Sequence, residues 1–239
     1  MNRVRDIALA LVTLGCMAAA CAPFAHRDDA HLAIVPAHRQ TFRVPAPAGM
    51  VSDLGRDPGA DAIFRVAVPS DLEMLAHFSP EDTSLRDLHA SFEMARSLPD
   101  DDASSLALFT EMRKFIPRRY ERSRASARPE LRDLALSLRA GVSDPAGADA
   151  TVQPREQVPI AVTRDDAQAI IGFALIGMPE SADGRTAPRA ALVGTAVLLL
   201  KNRVSYLYYV GRLPAQGDPL AQVRPALEAW TKKVLAANR

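Results

Sequence analysis

The chain has 239 residues, 48% of them hydrophobic and 24% charged, with a formal net charge of +1. That length and composition allow one sizeable core plus a tail, and the near-zero charge excludes a global field that would recruit nucleic acid or another polyanion. Eighteen prolines and only 5% aromatics point to many loops and a core filled mainly by aliphatic residues.

The chain opens with Arg3 and Arg5, then runs from Ile7 to Ala20 without a charge. A basic start, a short apolar stretch and small residues at its end describe a secretory signal, and the run is too short for an ordinary membrane span. Residues 1–20 are therefore expected to be a signal peptide. The segment Met17-Ala18-Ala19-Ala20-Cys21 resembles a bacterial lipobox, which implies lipidation of Cys21 and attachment to a membrane. Ala22 in the next position, rather than Asp, favours the outer membrane by the same resemblance. The alternative is signal peptidase I cleavage after Ala18–Ala20, which yields a soluble periplasmic product. Cys16 and Cys21 both lie in this region, so no disulfide is expected in the mature domain.

Residues 21–40 read as a flexible tether, mixing His26, Arg27, Asp28, Asp29, His31, Pro36 and His38 with little periodicity. The histidine spacing matches no ligand pattern, so no metal is expected there. Residues 41–239 read as a single α+β domain. Thr41–Ala46 alternates and is expected at a sheet edge because of Pro45 and Pro47. Ala62–Val68 is a second strand. Ser70-Asp71-Leu72-Glu73 has the spacing of a capping box and predicts a short helix to His77. A helix over Ser84–Ser97 is predicted from the stripe Leu85, Leu88, Phe92 and Ala95.

Asp100-Asp101-Asp102 lacks the alternating acids and distal Glu of a calcium loop and reads as the cap of the next helix. That helix spans Ala103 to about Phe115, with Pro117 ending or kinking it. Arg118, Arg119, Arg122, Arg124 and Arg128 form the one basic patch, a candidate contact for an anionic envelope surface. No nucleic-acid motif accompanies it. Pro129 opens a further helix to Ala140 with Leu131, Leu134 and Leu138 inward.

The rest of the chain turns to β structure. Val158–Thr163 and Gln168–Met178 are strands, the second expected to bend or bulge at Gly172. Ala190–Leu200 is apolar on both faces, as in a sheet interior. Val204–Leu213 carries Tyr206, Tyr208 and Tyr209, a candidate binding surface at the sheet margin. Asp218-Pro219 starts a last helix whose Leu220, Val223, Leu227, Trp230 and Val234 form one stripe, with a kink or late start expected at Pro225. These elements make the fold class α+β: a mostly antiparallel sheet with a C-terminal meander, packed by helices and closed by a C-terminal helix.

The strand, Lys/Asn turn and aromatic strand of Gly194–Tyr209, followed by Trp230 and Ala236-Ala237-Asn238, resemble the C-terminal part of uncharacterised Gram-negative envelope lipoproteins. The layout also resembles the PsbP/Mog1-like fold. Both resemblances imply an accessory or binding protein and bring no catalytic residues or cofactor with them.

No G-x-S-x-G, H-E-x-x-H, P-loop or dinucleotide fingerprint is present. The expected function is a non-catalytic binding module whose partners are a membrane, through the lipid, and an unidentified envelope protein or polymer. The alternative is a periplasmic hydrolase-like enzyme using His77 or His89 with a carboxylate such as Asp71 or Asp87. That alternative requires a His and a carboxylate within hydrogen-bond reach.

Overall fold

The computed structural model describes residues 26–54, 71–82, 88–97, 101–140, 157–178, 189–212 and 218–239. The strand expected at Ala62–Val68, like Cys21 and Asp87, lies outside them. A three-stranded sheet is built from β1 (His26–Asp29), β2 (Leu32–Ala37) and β3 (Gln40–Pro45). A seven-stranded antiparallel sheet combines β4 (Met50–Ser52), β5 (Leu72–Pro80), β6 (His89–Ala95), β7 (Gln157–Asp165), β8 (Ala169–Met178), β9 (Arg189–Leu200) and β10 (Arg203–Arg212). Its order is β4-β5-β6-β10-β9-β8-β7. Helices α1 (Asp102–Ala125), α2 (Pro129–Arg139) and α3 (Pro219–Ala237) complete the α+β domain.

The C-terminal meander and the last helix form as the sequence predicts. Leu220, Val223, Leu227, Trp230 and Val234 are all buried. Asp218 caps α3 by accepting the Leu220 N–H at 2.9 Å. The helix contains Pro225 within one continuous span, so no late start occurs. Pro225 is the seventh helical residue and forfeits one bond to the Ala221 carbonyl, a loss that the burial of Val223, Leu227 and Trp230 around it outweighs. The far end of α3 is stitched to β3. Trp230 donates its indole N–H to the Pro45 carbonyl at 2.6 Å and meets Phe78 edge-on at 5.8 Å. The Asn238 side-chain amide accepts from Arg43 N at 2.9 Å and donates to Arg43 O at 2.6 Å and to Val234 O at 2.8 Å. One side-chain amide thus replaces a missing neighbour strand at the edge of β3.

Four expectations are corrected. The segment taken as a tether is structured from His26 onward as β1 and β2. Ala33 and Val35 of β2 and Phe42 and Val44 of β3 enter the core, so tertiary burial orders a stretch whose histidines and proline hide its alternation. Where helices are predicted over 70–77 and 84–97, the described residues form strands instead: 72–80 is β5, and 89–95 is β6. The 3–4 spacing of Leu85, Leu88, Phe92 and Ala95 coincides with a period-two pattern in which Ala90, Phe92 and Met94 share one face, and pairing on both sides selects the strand.

Helix α1 passes through Pro117 and continues to Ala125. Ile116 before the proline and Arg124 after it are both buried, and this packing outweighs one lost hydrogen bond. Its Asp101 cap accepts the Ser104 N–H at 2.7 Å, as the acidic run predicts. Finally, β8 pairs with β9 without a break at Gly172; the bulges lie in β7. Gly172 is needed for another reason: a Cβ there would come within 2.6 Å of the Tyr120 hydroxyl. Glycine lets α1 lay Tyr120 directly on the sheet.

Candidate functional site

Helix α1 lies over one face of the large sheet, chiefly above β7, β9 and β10. Residues paired across an antiparallel ladder project to the same face. One row on the α1 face runs His77, Ser91, Tyr208, Thr195, Gly172. The next runs Met74, Glu93, Tyr206, Val197, Ile170. A bulge in β5 between Met74 and Ala76 brings His77 onto this face. Before it, Leu72 and Met74 point toward α1; after it, Ala76 and Phe78 point into the opposite core with Trp230. The face is thus apolar at one end and polar at the other.

His77 is 2% exposed, and its Nδ1 lies 2.6 Å from Asp53 Oδ1. The second Asp53 oxygen accepts from the Ser79 hydroxyl. Burial pushes the Asp53 carboxyl up, but the hydrogen bond and charge of His77 and the bond from Ser79 outweigh it and hold it below the usual carboxylate range. His89 lies alongside, its ring 6.2 Å from that of His77. A His and a carboxylate therefore meet within hydrogen-bond reach, but the carboxylate is Asp53 rather than Asp71. The order also departs from a hydrolytic triad. Asp53 stands between His77 and Ser79, so the histidine is not placed to take the serine's proton.

Glu93, on the neighbouring strand, was not singled out by sequence reasoning. It is 3% exposed, and Oε1 accepts from the Ser91 hydroxyl at 2.8 Å. Burial raises its carboxyl to about 7; the Ser91 bond opposes this and the Asp71 charge adds to it. Asp71 is itself raised by burial. The tyrosines expected at a sheet margin lie instead on β10, the central strand, and on both of its faces. Tyr206 and Tyr208 stack on the α1 side with ring centroids 6.4 Å apart, while Tyr209 is buried in the opposite core. Burial raises the hydroxyls of Tyr206 and Tyr208, and lifts that of Tyr120 to about 12.

The five arginines separate. Arg124 is buried, donating to Ile160 O at 2.7 Å and to Glu121, and so belongs to the packing of α1 on β7. Arg128 is the N-cap residue of α2. Arg119 and Arg122 gather around Phe115, their guanidinium carbons 5.9 and 5.8 Å from its ring centre, and Arg122 Nε donates to the Arg118 carbonyl at 3.4 Å. Burial first, then the charge of Arg122, lowers the Arg119 guanidinium. Arg118 and Arg122 are exposed and make no ion pair among the described residues. Among those residues no group of three metal-ligating side chains occurs, and no helix is long and apolar enough to cross a membrane.

No family model, curated protein or solved structure matches this chain.

Proposed function

We propose that this chain is an exported envelope protein, anchored through a lipid on Cys21, whose domain is a non-catalytic binding module for a phosphate-bearing envelope polymer or surface. On this reading it belongs with the Gram-negative envelope lipoproteins that its C-terminal segment resembles. The observation that carries the binding role is the arginine face of α1. Arg119 and Arg122 are held over one ring in spite of their mutual repulsion, Arg118 lies one turn before Arg122, and among the described residues Arg118 and Arg122 make no ion pair. Guanidinium groups so placed suit bidentate contact with phosphate oxygens.

The face lies at the β7 edge, because Arg124 and Arg113 of the same helix bind β7 through Ile160 and Asp165. The N-terminal strands lie at the β4 edge, where Ser52 N bonds Ala30 O and His31 Nδ1 lies 3.2 Å from Met50 O. Six strand spacings, roughly 29 Å, separate the two edges. The helix that carries the arginines thus reaches the sheet edge opposite the start of the domain, which supports a partner other than the membrane that holds the lipid.

Two measurements test this reading. Cys21→Ser should move the protein from the membrane fraction to the soluble one; unchanged fractionation removes the anchor from the proposal. Lipopolysaccharide micelles should bind the soluble domain at low salt. Reversing Arg118, Arg119 and Arg122 to Glu should weaken that binding by about a hundredfold, at about 1 kcal/mol per arginine. Equal binding by the triple variant would refute the arginine face.

The Asp53–His77 contact at 2.6 Å favours a second reading, a hydrolase-like enzyme with His77 as general base held by Asp53. Ester-hydrolysing activity abolished by His77→Gln, with folding intact, would establish it over the binding module.

A further inference from the structure

Glu93 presents a charge problem that packing does not solve. Its Oε2 meets no hydrogen-bond donor, although the residue is 3% exposed. The Tyr208 hydroxyl, diagonal to it on β10, is likewise buried with no partner. Among the described residues the groups that face Glu93 are few. Ser91 donates to the other carboxyl oxygen. Asp71, ahead of β5, adds a second negative charge. Tyr206 and Tyr208 stand opposite on β10, and Tyr120 comes down from α1 onto Gly172. His77, on the next row, is turned to Asp53, and Arg96, just past β6, donates its Nε to Leu72 O. No lysine or arginine pairs with Glu93 or Asp71 among the described residues.

A buried carboxylate requires a counter-charge, which can be a proton, a metal ion or an organic cation. A metal needs more ligands than this site collects, since no group of three ligating side chains is present among the described residues. A small ammonium answers each remaining feature. It brings up to three N–H donors, enough for Glu93 Oε2 and the Tyr208 oxygen together. The faces of stacked tyrosines attract it further.

We infer that Glu93 and Tyr208, flanked by Tyr206 and Asp71, form a binding site for a small primary ammonium group. The carboxyl accepts one N–H, the phenol oxygen a second, and the ring faces hold the methylene side. The site is separate from the arginine face and stands whether or not that face binds an anion.

The probe is methylammonium chloride, compared with sodium chloride at equal ionic strength. The readout is the thermal unfolding midpoint, followed by Trp230 fluorescence. At pH 8 methylammonium should raise the midpoint in a saturable manner. Because Glu93 titrates near 7, its ionised fraction falls about tenfold between pH 8 and pH 6, and the half-saturating concentration should rise by about the same factor. Glu93→Gln should abolish the response, and Tyr208→Phe should weaken it severalfold. Equal midpoints in the two salts at pH 8 would show that a proton is the only counter-charge and overturn the inference. A response that survives in Glu93→Gln, or does not weaken at pH 6, would place the ammonium elsewhere and overturn it as well. Tyr208→Phe and the wild-type pH comparison keep the test decisive even if Glu93→Gln does not fold.

Discussion

Replacing Glu93 by Gln should make the domain more stable at neutral and alkaline pH. The native carboxyl titrates near 7, against 4.5 for the same group in an unfolded chain. At 1.36 kcal/mol per unit, that gap is about 3 kcal/mol of destabilisation once the folded carboxyl is ionised. The sign follows from proton counting. Between pH 4.5 and 7 the folded state holds a proton that the unfolded state has released. Stability from this group is therefore fully present below pH 4.5 and is lost as pH rises through 7. Glutamine keeps the shape and the acceptor for Ser91 but carries no charge. Urea unfolding in sodium chloride, read by the buried Trp230, measures both proteins from pH 4 to 9. The difference, variant minus wild type, should climb across the window and level off at about 3 kcal/mol. Other titrating groups cancel in that difference. A flat difference would refute the reasoning, since it would mean that Glu93 is ionised and compensated in the folded protein.

Other substitutions check the packing. Arg124→Ala should destabilise the fold by about 2–4 kcal/mol, because it strands the Ile160 carbonyl, whereas Arg122→Ala should stay within about 0.5 kcal/mol by urea unfolding. Asn238→Ala removes three hydrogen bonds to β3 and its own helix and should cost about 1–3 kcal/mol, with faster hydrogen exchange at Arg43. Gly172→Ala places a methyl group against the Tyr120 ring and should cost about 1–3 kcal/mol in unfolding free energy.

Much of the framework was legible because local signals agreed with burial. The stripe from Leu220 to Val234 has only one helical reading, and Asp218-Pro219 marks its start. The apolar run of β9 has only one strand reading. The same signals failed over 70–97, where a helical spacing and an alternating one coexist in a few residues and neighbouring strands decide between them. Histidines and a proline concealed β1 and β2, whose order depends on β3 and on a turn with His38 and Arg39 at positive φ.

The candidate site was less legible. His77 and the arginine cluster were visible as residue types. Their roles were not, because Arg124 differs from Arg122 only in which side of α1 meets β7. Glu93 gave one weak signal, an acid at an inward position of an alternating strand, and that signal appears only when 89–95 is read as a strand.

By itself the sequence determined the α+β class, the C-terminal meander, the last helix and the caps of α1 and α3. These depend on contacts within a few residues or on a period that one element carries alone. Only the tertiary structure decided that a bulge in β5 turns His77 toward Asp53, that Gly172 exists for Tyr120, and that Glu93 and Tyr208 lie diagonally on one face of the sheet. Each of those depends on register between strands far apart in the chain, and a shift of one residue would turn every one of these side chains to the other face.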